Sequence, residues 1–344
     1  MDRSGEFINP SEAARRLGVS PKALRLYERQ GLLVPVRTAA GWRTYGPAEM
    51  ARAGEIAALR ALGLSLAQVA RTLGGDASCL EPALAAHQAA LEGQSRRLAE
   101  TIERVRDLRV GLAEGRAPRA EELARLVRPS AALGVAFDLP WPWGGERFEL
   151  SDVRTLTFII GPLGSGKTRL LRKIAETLPG AVFLGLDRSA GDAAAAHAQL
   201  DADAALKARV DRALAWLADE GAASSASLIA MLVALESEGP AALVIDMVEQ
   251  GLDQASQEAL IAYLRHRASA ARPLFVTTRS SAILDLAAVR ADEAIILCPA
   301  NHSPPSLVAP HPGSPGYESV ATCLGSPAVR ARTEGVVAWR PQVA

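Results

Sequence analysis

Over the first 75 residues, apolar positions recur at helical spacing in short blocks punctuated by glycine. Ala13, Ala14 and Leu17 form one such face, and Asn9-Pro10-Ser11-Glu12 ahead of it supplies a cap, a first-turn proline and an early acid. Gly18-Val19-Ser20-Pro21 reads as a tight turn, with Ser20 capping a second helix that runs from Pro21 to about Gln30 and ends at Gly31. Two short helices joined by a Gly-containing turn form the helix-turn-helix pattern. Thr38-Ala39-Ala40-Gly41-Trp42-Arg43-Thr44-Tyr45 follows, polar and Gly-containing between extended residues, and predicts a β-hairpin wing. Helices are predicted again from Pro47, carrying Ile56 and Leu59, and from Ser65 to about Gly74-Gly75.

From Cys79 to about Gly115 the period lengthens to seven. Leu84, Leu91, Leu98, Val105 and Leu112 recur without a break. Their companions Leu80, His87, Gln94, Thr101 and Leu108 are mixed, so the stripe is narrow. No nearby segment offers a matching apolar face, which predicts a dimerising helix; a helix lying on its own domain is the other reading. Residues 128–150 hold Pro129, Pro140, Trp141, Pro142, Trp143, Gly144 and Gly145, and read as a linker or an edge segment that docks its tryptophans. From Val153 onward, short β-prone runs alternate with helical blocks, which predicts an α/β unit. A Pro-rich loop with His302 and His311 precedes a stretch from Gly316 to Trp339 that looks folded; no chemistry is assigned to it.

The 344 residues leave room for two domains and a connector, and the 49% hydrophobic content is enough for true cores. Net charge is zero, but the average hides an asymmetry. Residues 1–75 carry net +5 and the remainder net −5, which points the N-terminal part toward phosphates. Cys79, Cys298 and Cys323 are too widely spaced for a zinc site or a disulfide framework. Neither an export signal nor a membrane span is indicated, so the expected location is cytoplasmic.

Two segments carry recognisable chemistry. The run Leu156–Ile160 leads into Gly161-Pro162-Leu163-Gly164-Ser165-Gly166-Lys167-Thr168, followed by apolar residues at helical spacing. This is a Walker A motif in its strand–loop–helix context. Glycines let backbone N–H groups close around phosphates, the following helix presents its positive end, Lys167 reaches the β- and γ-phosphates, and Thr168 ligates Mg²⁺. Ala241–Asp246 is a second buried strand ending in an acid and fits Walker B, with Asp246 also serving Mg²⁺. In the N-terminal part, the start of the Pro21–Gln30 helix would face a major groove. Lys22 and Arg25 suit phosphates or guanine edges. Tyr27 and Tyr45 can offer hydroxyls to phosphate while packing their rings, Arg43 can touch the backbone or minor groove, and core aromatics are the other reading of Tyr27 and Trp42.

Residues Ala14–Ser20, Leu24–Leu33 and Gly41–Tyr45 together resemble a MerR-family DNA-binding domain, a likeness covering residues 7–75. That resemblance implies a dimer on a pseudo-palindromic double-stranded promoter, and a twisted promoter spacer that lets RNA polymerase engage. Metal-sensing members place one thiolate where Cys79 stands, but residues 112–127 hold no partner cysteine. Val244-Ile245-Asp246, Gly251-Leu252-Asp253 and Phe275–Ser280 resemble ABC-type ATPases over about residues 153–300. The likeness implies a D-loop at Gly251–Asp253. It also implies a catalytic glutamate after Asp246, where this chain has Met247, and a switch histidine where it has Arg279. Glu249 and Arg279 are the substitutes. A positioned base contributes about 10²–10⁴-fold, so binding of ATP is expected with slow or absent hydrolysis. No LSGGQ signature is visible; Gly221–Ser225 opens a helix at its place.

The expected protein is multidomain: an all-α winged-helix DNA-binding domain (1–75), a long coiled-coil dimerisation helix (76–127), a linker (128–150) and an α/β P-loop NTPase domain (151–344). Ser20, Lys22, Arg25, Tyr27, Arg43 and Tyr45 would meet DNA, and residues 161–168 with Asp246 would hold Mg–ATP. The expected function is transcriptional regulation modulated by ATP; an active DNA-targeted ABC-type ATPase is the alternative.

Overall fold

The computed structural model describes residues 7–117, 134–186, 192–267 and 272–326. The chain divides between residues 132 and 133 into two compact units.

The first unit is helical. It contains α1 (Pro10–Leu17), α2 (Pro21–Arg29), a wing of β1 (Val36–Arg37) and β2 (Arg43–Thr44), then α3 (Pro47–Ala61), α4 (Leu66–Leu73) and α5 (Leu80–Ala113). The caps follow from local chemistry. The Asn9 side chain accepts the Glu12 N–H at 2.9 Å, and Ser20 accepts the Ala23 N–H at 3.2 Å. Ser65 and Gln68 close a reciprocal capping box on α4. Gly18, at φ 65°, lets the chain reverse between α1 and α2. Leu24, Tyr27, Leu33, Tyr45, Ile56, Leu64 and Val69 are buried together at the centre.

Among the described side chains, Cys79 at the cap of α5 and Ala83 in its first turn pack on this core. Beyond that the helix carries its heptad residues in solvent: Leu84, Leu91, Leu98, Val105 and Leu112 are 39–63% exposed. At 1.5 Å per residue its 34 residues extend about 50 Å.

The second unit is a three-layer α/β domain. Its sheet runs in the order β10 (Ser306–Leu307), β9 (Glu293–Leu297), β5 (Leu156–Ile160), β8 (Leu274–Thr277), β7 (Ala242–Ile245), β6 (Ala181–Leu184). All neighbours are parallel except the edge pair β9–β10. Buried on both faces, the inner strands read as continuous apolar runs. One face packs on α6 (Lys167–Thr177) and on a hairpin of β3 (Val135–Asp138) and β4 (Arg147–Leu150), through Phe137, Phe148, Ile159, Leu170, Val244 and Phe275. The other face is covered by α7 (Asp192–Ala202), α8 (Ala204–Asp219), α9 (Ala226–Glu236) and α10 (Gln254–Arg267), with Val320 of α11 (Tyr317–Cys323) joining the same cluster.

The hairpin corrects the expected linker at 128–150. Val135 to Leu150 is a paired element of the second unit, in register from Val135↔Leu150 to Asp138↔Arg147, and its apolar residues complete the core over α6. Residues 118–127 of the expected dimerisation segment and 327–344 of the tail lie outside the described residues. Among the described residues no helix is long and apolar enough to cross a membrane.

Candidate functional sites

In the helical unit, α2 begins at Ser20, which is 9% exposed and occupied as a cap, and Lys22, Arg25 and Arg29 stand exposed along it. Arg15 and Arg16 on α1 are also exposed, and both bond Glu12. The two tyrosines are placed differently. Tyr27 is 4% exposed and Tyr45 fully buried. The Tyr45 hydroxyl donates to Glu28 Oε1, and Arg43 Nε donates to Glu28 Oε2 at 2.7 Å. Burial, and then the Glu28 carboxylate, push the Tyr45 phenol well above its ordinary range. Glu28 thus latches the wing to α2. At the wing tip Arg37 donates to the Gly41 carbonyl (2.9 Å), and Trp42 is 74% exposed. Cys79 Sγ lies 3.3 Å from Thr72 Oγ1.

In the α/β unit the C-terminal ends of the parallel strands gather the polar groups, as expected for an open α/β sheet. Gly161–Gly166 links β5 to α6. Gly164 and Gly166 have φ of 82° and 91°, a conformation that turns successive N–H groups to one side. A Cβ on Gly161 would lie 2.3 Å from the Cys298 carbonyl oxygen, and one on Gly166 would lie 2.5 Å from the Trp143 ring. The loop is therefore pressed between the end of β9 and an indole. Lys167 Nζ donates to the Gly161 and Pro162 carbonyls at 2.8 and 2.7 Å. Burial holds its pKa below the usual lysine value, and the nearby Arg279 charge acts in the same direction. The buried Ser165 hydroxyl has no partner among the described residues.

Asp246 closes the other side. Its Oδ2 accepts from Thr168 Oγ1 at 2.7 Å and its Oδ1 from Thr277 Oγ1 at 2.6 Å. A hydroxyl and a carboxylate this close, beside a glycine cradle with a buried spare hydroxyl, form a hard-oxygen donor set that fits a magnesium polyphosphate. Met247 follows at φ 48° and donates its N–H to Thr277 Oγ1 at 2.6 Å. Glu249, 3% exposed, accepts the Arg279 N–H at 2.8 Å on Oε1. Gly251 passes so close to α9 that a Cβ there would sit 2.5 Å from Ser227 Oγ.

Three residues beside the cradle lack any motif. Trp141 is 70% exposed, with the Arg169 guanidinium 4.5 Å from its ring centroid. Trp143 is buried and donates Nε1–H to the Ser303 carbonyl at 3.2 Å. His302 Nε2 lies 3.1 Å from the Gly164 carbonyl oxygen.

A family model for MerR HTH family regulatory proteins matches residues 8–75. A protein of Haemophilus influenzae named "Probable heavy metal-dependent transcriptional regulator" is 36% identical over 105 residues, covering 82% of that protein and 28% of this chain. The chain belongs to the MerR family. Among solved structures, a MerR family regulator lacking the sensor domain, bound to promoter DNA, matches 32% of this chain and 92% of its own at 24% identity and a TM-score of 0.22. An ATP binding subunit of an ABC transporter matches 51% of this chain and 90% of its own at 14% identity and a TM-score of 0.37. The architecture of the second unit rests on its own strand order and contacts.

In the MerR unit Lys22 and Arg25 stand on the surface of α2 as expected, and Ser20 is its cap. Tyr27, Tyr45 and Arg43 were expected to reach phosphate. The rings of Tyr27 and Tyr45 pack in the core, and the Tyr45 hydroxyl and the half-exposed Arg43 side chain are bonded to Glu28. The reason is the acid at position 28, which sits under the wing and offers both oxygens. Residues 161–168 and Asp246 come together in one site. Glu249 and Arg279 meet there through the Arg279 backbone. Ser225 caps α9 by accepting the Leu228 N–H at 3.2 Å. The sequence reading missed Trp141, Arg169, Trp143 and His302 as neighbours of the cradle. Only the tryptophan-rich run at 141–143 hinted at them.

Proposed function

We propose that this MerR-family protein is a DNA-binding transcriptional regulator whose operator binding responds to Mg–ATP held by its second unit. The observation that carries the reading is the Thr168–Asp246 bond. It joins the first turn of α6 to the end of β7 at the mouth of a glycine cradle, where Lys167 is already directed. Residues 161–166 would enclose the phosphates with backbone N–H groups, Lys167 would neutralise them, and Thr168 and Asp246 would hold Mg²⁺. Trp141, exposed beside Arg169, offers an aromatic face for the base. When bound, Mg–ATP supplies a phosphoanhydride.

This chain's residues hold that group better than they would cleave it. Met247 has no acid or base to give, and the Glu249 carboxylate is drawn to the Arg279 backbone. Slow or absent turnover follows.

At the other end, Lys22, Arg25 and Arg29 on α2 would enter the major groove of promoter DNA while the Glu28 latch sets the wing angle. The exposed heptad face of α5 supports a homodimer that presents two readers to two half-sites. Contact with RNA polymerase belongs to the same reading, through the MerR likeness. An ATPase reading is favoured by one observation: Glu249 is buried at the site rather than facing solvent.

The test is operator binding by fluorescence anisotropy on the upstream region of the protein's own gene, with and without Mg–ATP. Wild type shifts in affinity or oligomeric state, and Lys167→Ala keeps DNA binding but loses the shift. An identical nucleotide response in Lys167→Ala refutes the proposal. Rapid steady-state phosphate release, abolished by Glu249→Gln, would move the assignment to the ATPase.

A further inference from the structure

The turn between β9 and β10 leaves the sheet at Cys298, returns at Ser306, and lies against the outer side of the glycine cradle. Three contacts join the two. The Cys298 carbonyl presses on Gly161, leaving no room for a Cβ. Trp143, whose ring fills the space a side chain would need at Gly166, is fixed by its bond to the Ser303 carbonyl. Between them, His302 Nε2 meets the Gly164 carbonyl at 3.1 Å. A carbonyl only accepts, so Nε2 must carry a proton and donate.

The backbone at His302 is unusual. Its φ is 59°, the left-handed region that a non-glycine residue rarely takes. The turn keeps it there through the His302 N–H bond to the Pro299 carbonyl (3.2 Å) and the Ser303 N–H bond to Asn301 Oδ1 (3.2 Å). This conformation directs the imidazole back toward the cradle.

Resting on the Mg–ATP reading above, we infer that His302 is a positioning residue for the polyphosphate. In a trans peptide the C=O and the next N–H point in opposite directions. A donor that holds the Gly164 carbonyl outward therefore turns the Ser165 N–H toward the inside of the cradle. In the structure that N–H makes only a long bond of 3.3 Å to the Pro162 carbonyl, which Lys167 Nζ also occupies. A phosphate oxygen arriving there would take over both donors. His302 thus adds a second anchor to the Gly164–Ser165 peptide plane, which the glycine at 164 makes easy to turn and which the long Ser165–Pro162 bond holds only weakly. The ligand class is a nucleoside polyphosphate, and the contribution is to binding.

The experiment measures Mg–ATP and Mg–ADP affinity of the full chain by calorimetry for wild type, His302→Gly, His302→Gln and Lys167→Ala. Glycine removes the imidazole and suits the positive φ, so backbone strain is not a confounder. Losing one preorganising hydrogen bond predicts about fivefold weaker binding of both nucleotides in His302→Gly. His302→Gln, which keeps an N–H at similar reach, restores most of the loss. A packing role alone would not give that rescue. Wild-type affinity in His302→Gly overturns the inference, as does an equal loss in the Gly and Gln variants. Wild type that binds no better than Lys167→Ala removes the nucleotide reading itself and the inference with it, a result distinct from the other two.

Discussion

The Glu28 latch can be tested in the MerR unit alone. Glu28→Ala removes the acceptor of a fully buried phenol and of the Arg43 Nε–H. A buried donor left unsatisfied costs about 1–3 kcal/mol. The Arg43–Glu28 ion pair adds less, because Arg43 is 38% exposed and water screens it; about 0.5 kcal/mol is a fair share. The expected loss is about 1.5–3.5 kcal/mol of local stability. Hydrogen exchange read by mass spectrometry on peptides spanning α2 and the wing isolates that loss from the second unit. It should accelerate exchange by roughly 10–300-fold, at about 1.4 kcal/mol per tenfold. Tyr45→Phe removes the donor instead, and in the double variant no orphaned hydroxyl remains. The two changes should then cost less together than their sum, with a coupling of about 1–2 kcal/mol. Strictly additive costs, or an exchange rate in Glu28→Ala within twofold of wild type, would refute the latch. Operator affinity should fall with it, since the wing would lose its fixed angle to α2.

Replacing both Leu91 and Leu98 by Glu should convert a dimer to a monomer in analytical ultracentrifugation with the helical content of the first unit retained; a wild-type monomer at micromolar concentration would refute the dimer. Trp141→Ala should weaken nucleotide binding by about tenfold, since aromatic–base stacking is worth about 1–3 kcal/mol, while Trp141→Phe keeps most of it; unchanged affinity in the Ala variant would remove the platform. Burial pushes the Cys298 thiol from its ordinary value near 9 up to about 12, with the Lys167 charge opposing. A raised acid stabilises the fold below its unfolded pKa, and the contribution is lost as pH climbs from about 9 toward 12. Denaturant unfolding of the second unit should therefore weaken above pH 9, and Cys298→Ala should flatten that decline; a parallel decline in both proteins would show the thiol is not responsible.

Much of this architecture was legible along the chain because it is local. Asn9 and Ser20 fix their helix starts through bonds three residues away, and Gly18 marks the reversal between α1 and α2. The glycine pattern of residues 161–168 marks the cradle, since glycines at 164 and 166 permit the positive φ the loop requires. The heptad of α5 is likewise a periodicity, legible without its partner. The run at 128–150 read as a linker or a docking edge segment because its proline and glycine punctuation resembles a linker; the four-residue alternations at 135–138 and 147–150 are short, and packing on α6 is a contact between elements distant in the chain.

The sequence by itself determined the two units, their order, the helix boundaries in the first, and the identity of the groups at the glycine cradle. Tertiary structure alone decided which of those groups face outward. Tyr45 and Arg43 are polar and stood beside a basic helix, so their pattern suited DNA; one carboxylate on α2, seventeen and fifteen residues away, engages both. Met247 could be read as the loss of a base, but that Glu249 bonds the Arg279 backbone could not, since that bond joins the ends of two neighbouring strands. His302 belonged to a loop with no pattern at all until the β9–β10 pairing brought it over Gly164. Local bonds are written in short spacings, whereas a contact across 138 residues is set by the sheet register that carries both ends to one place.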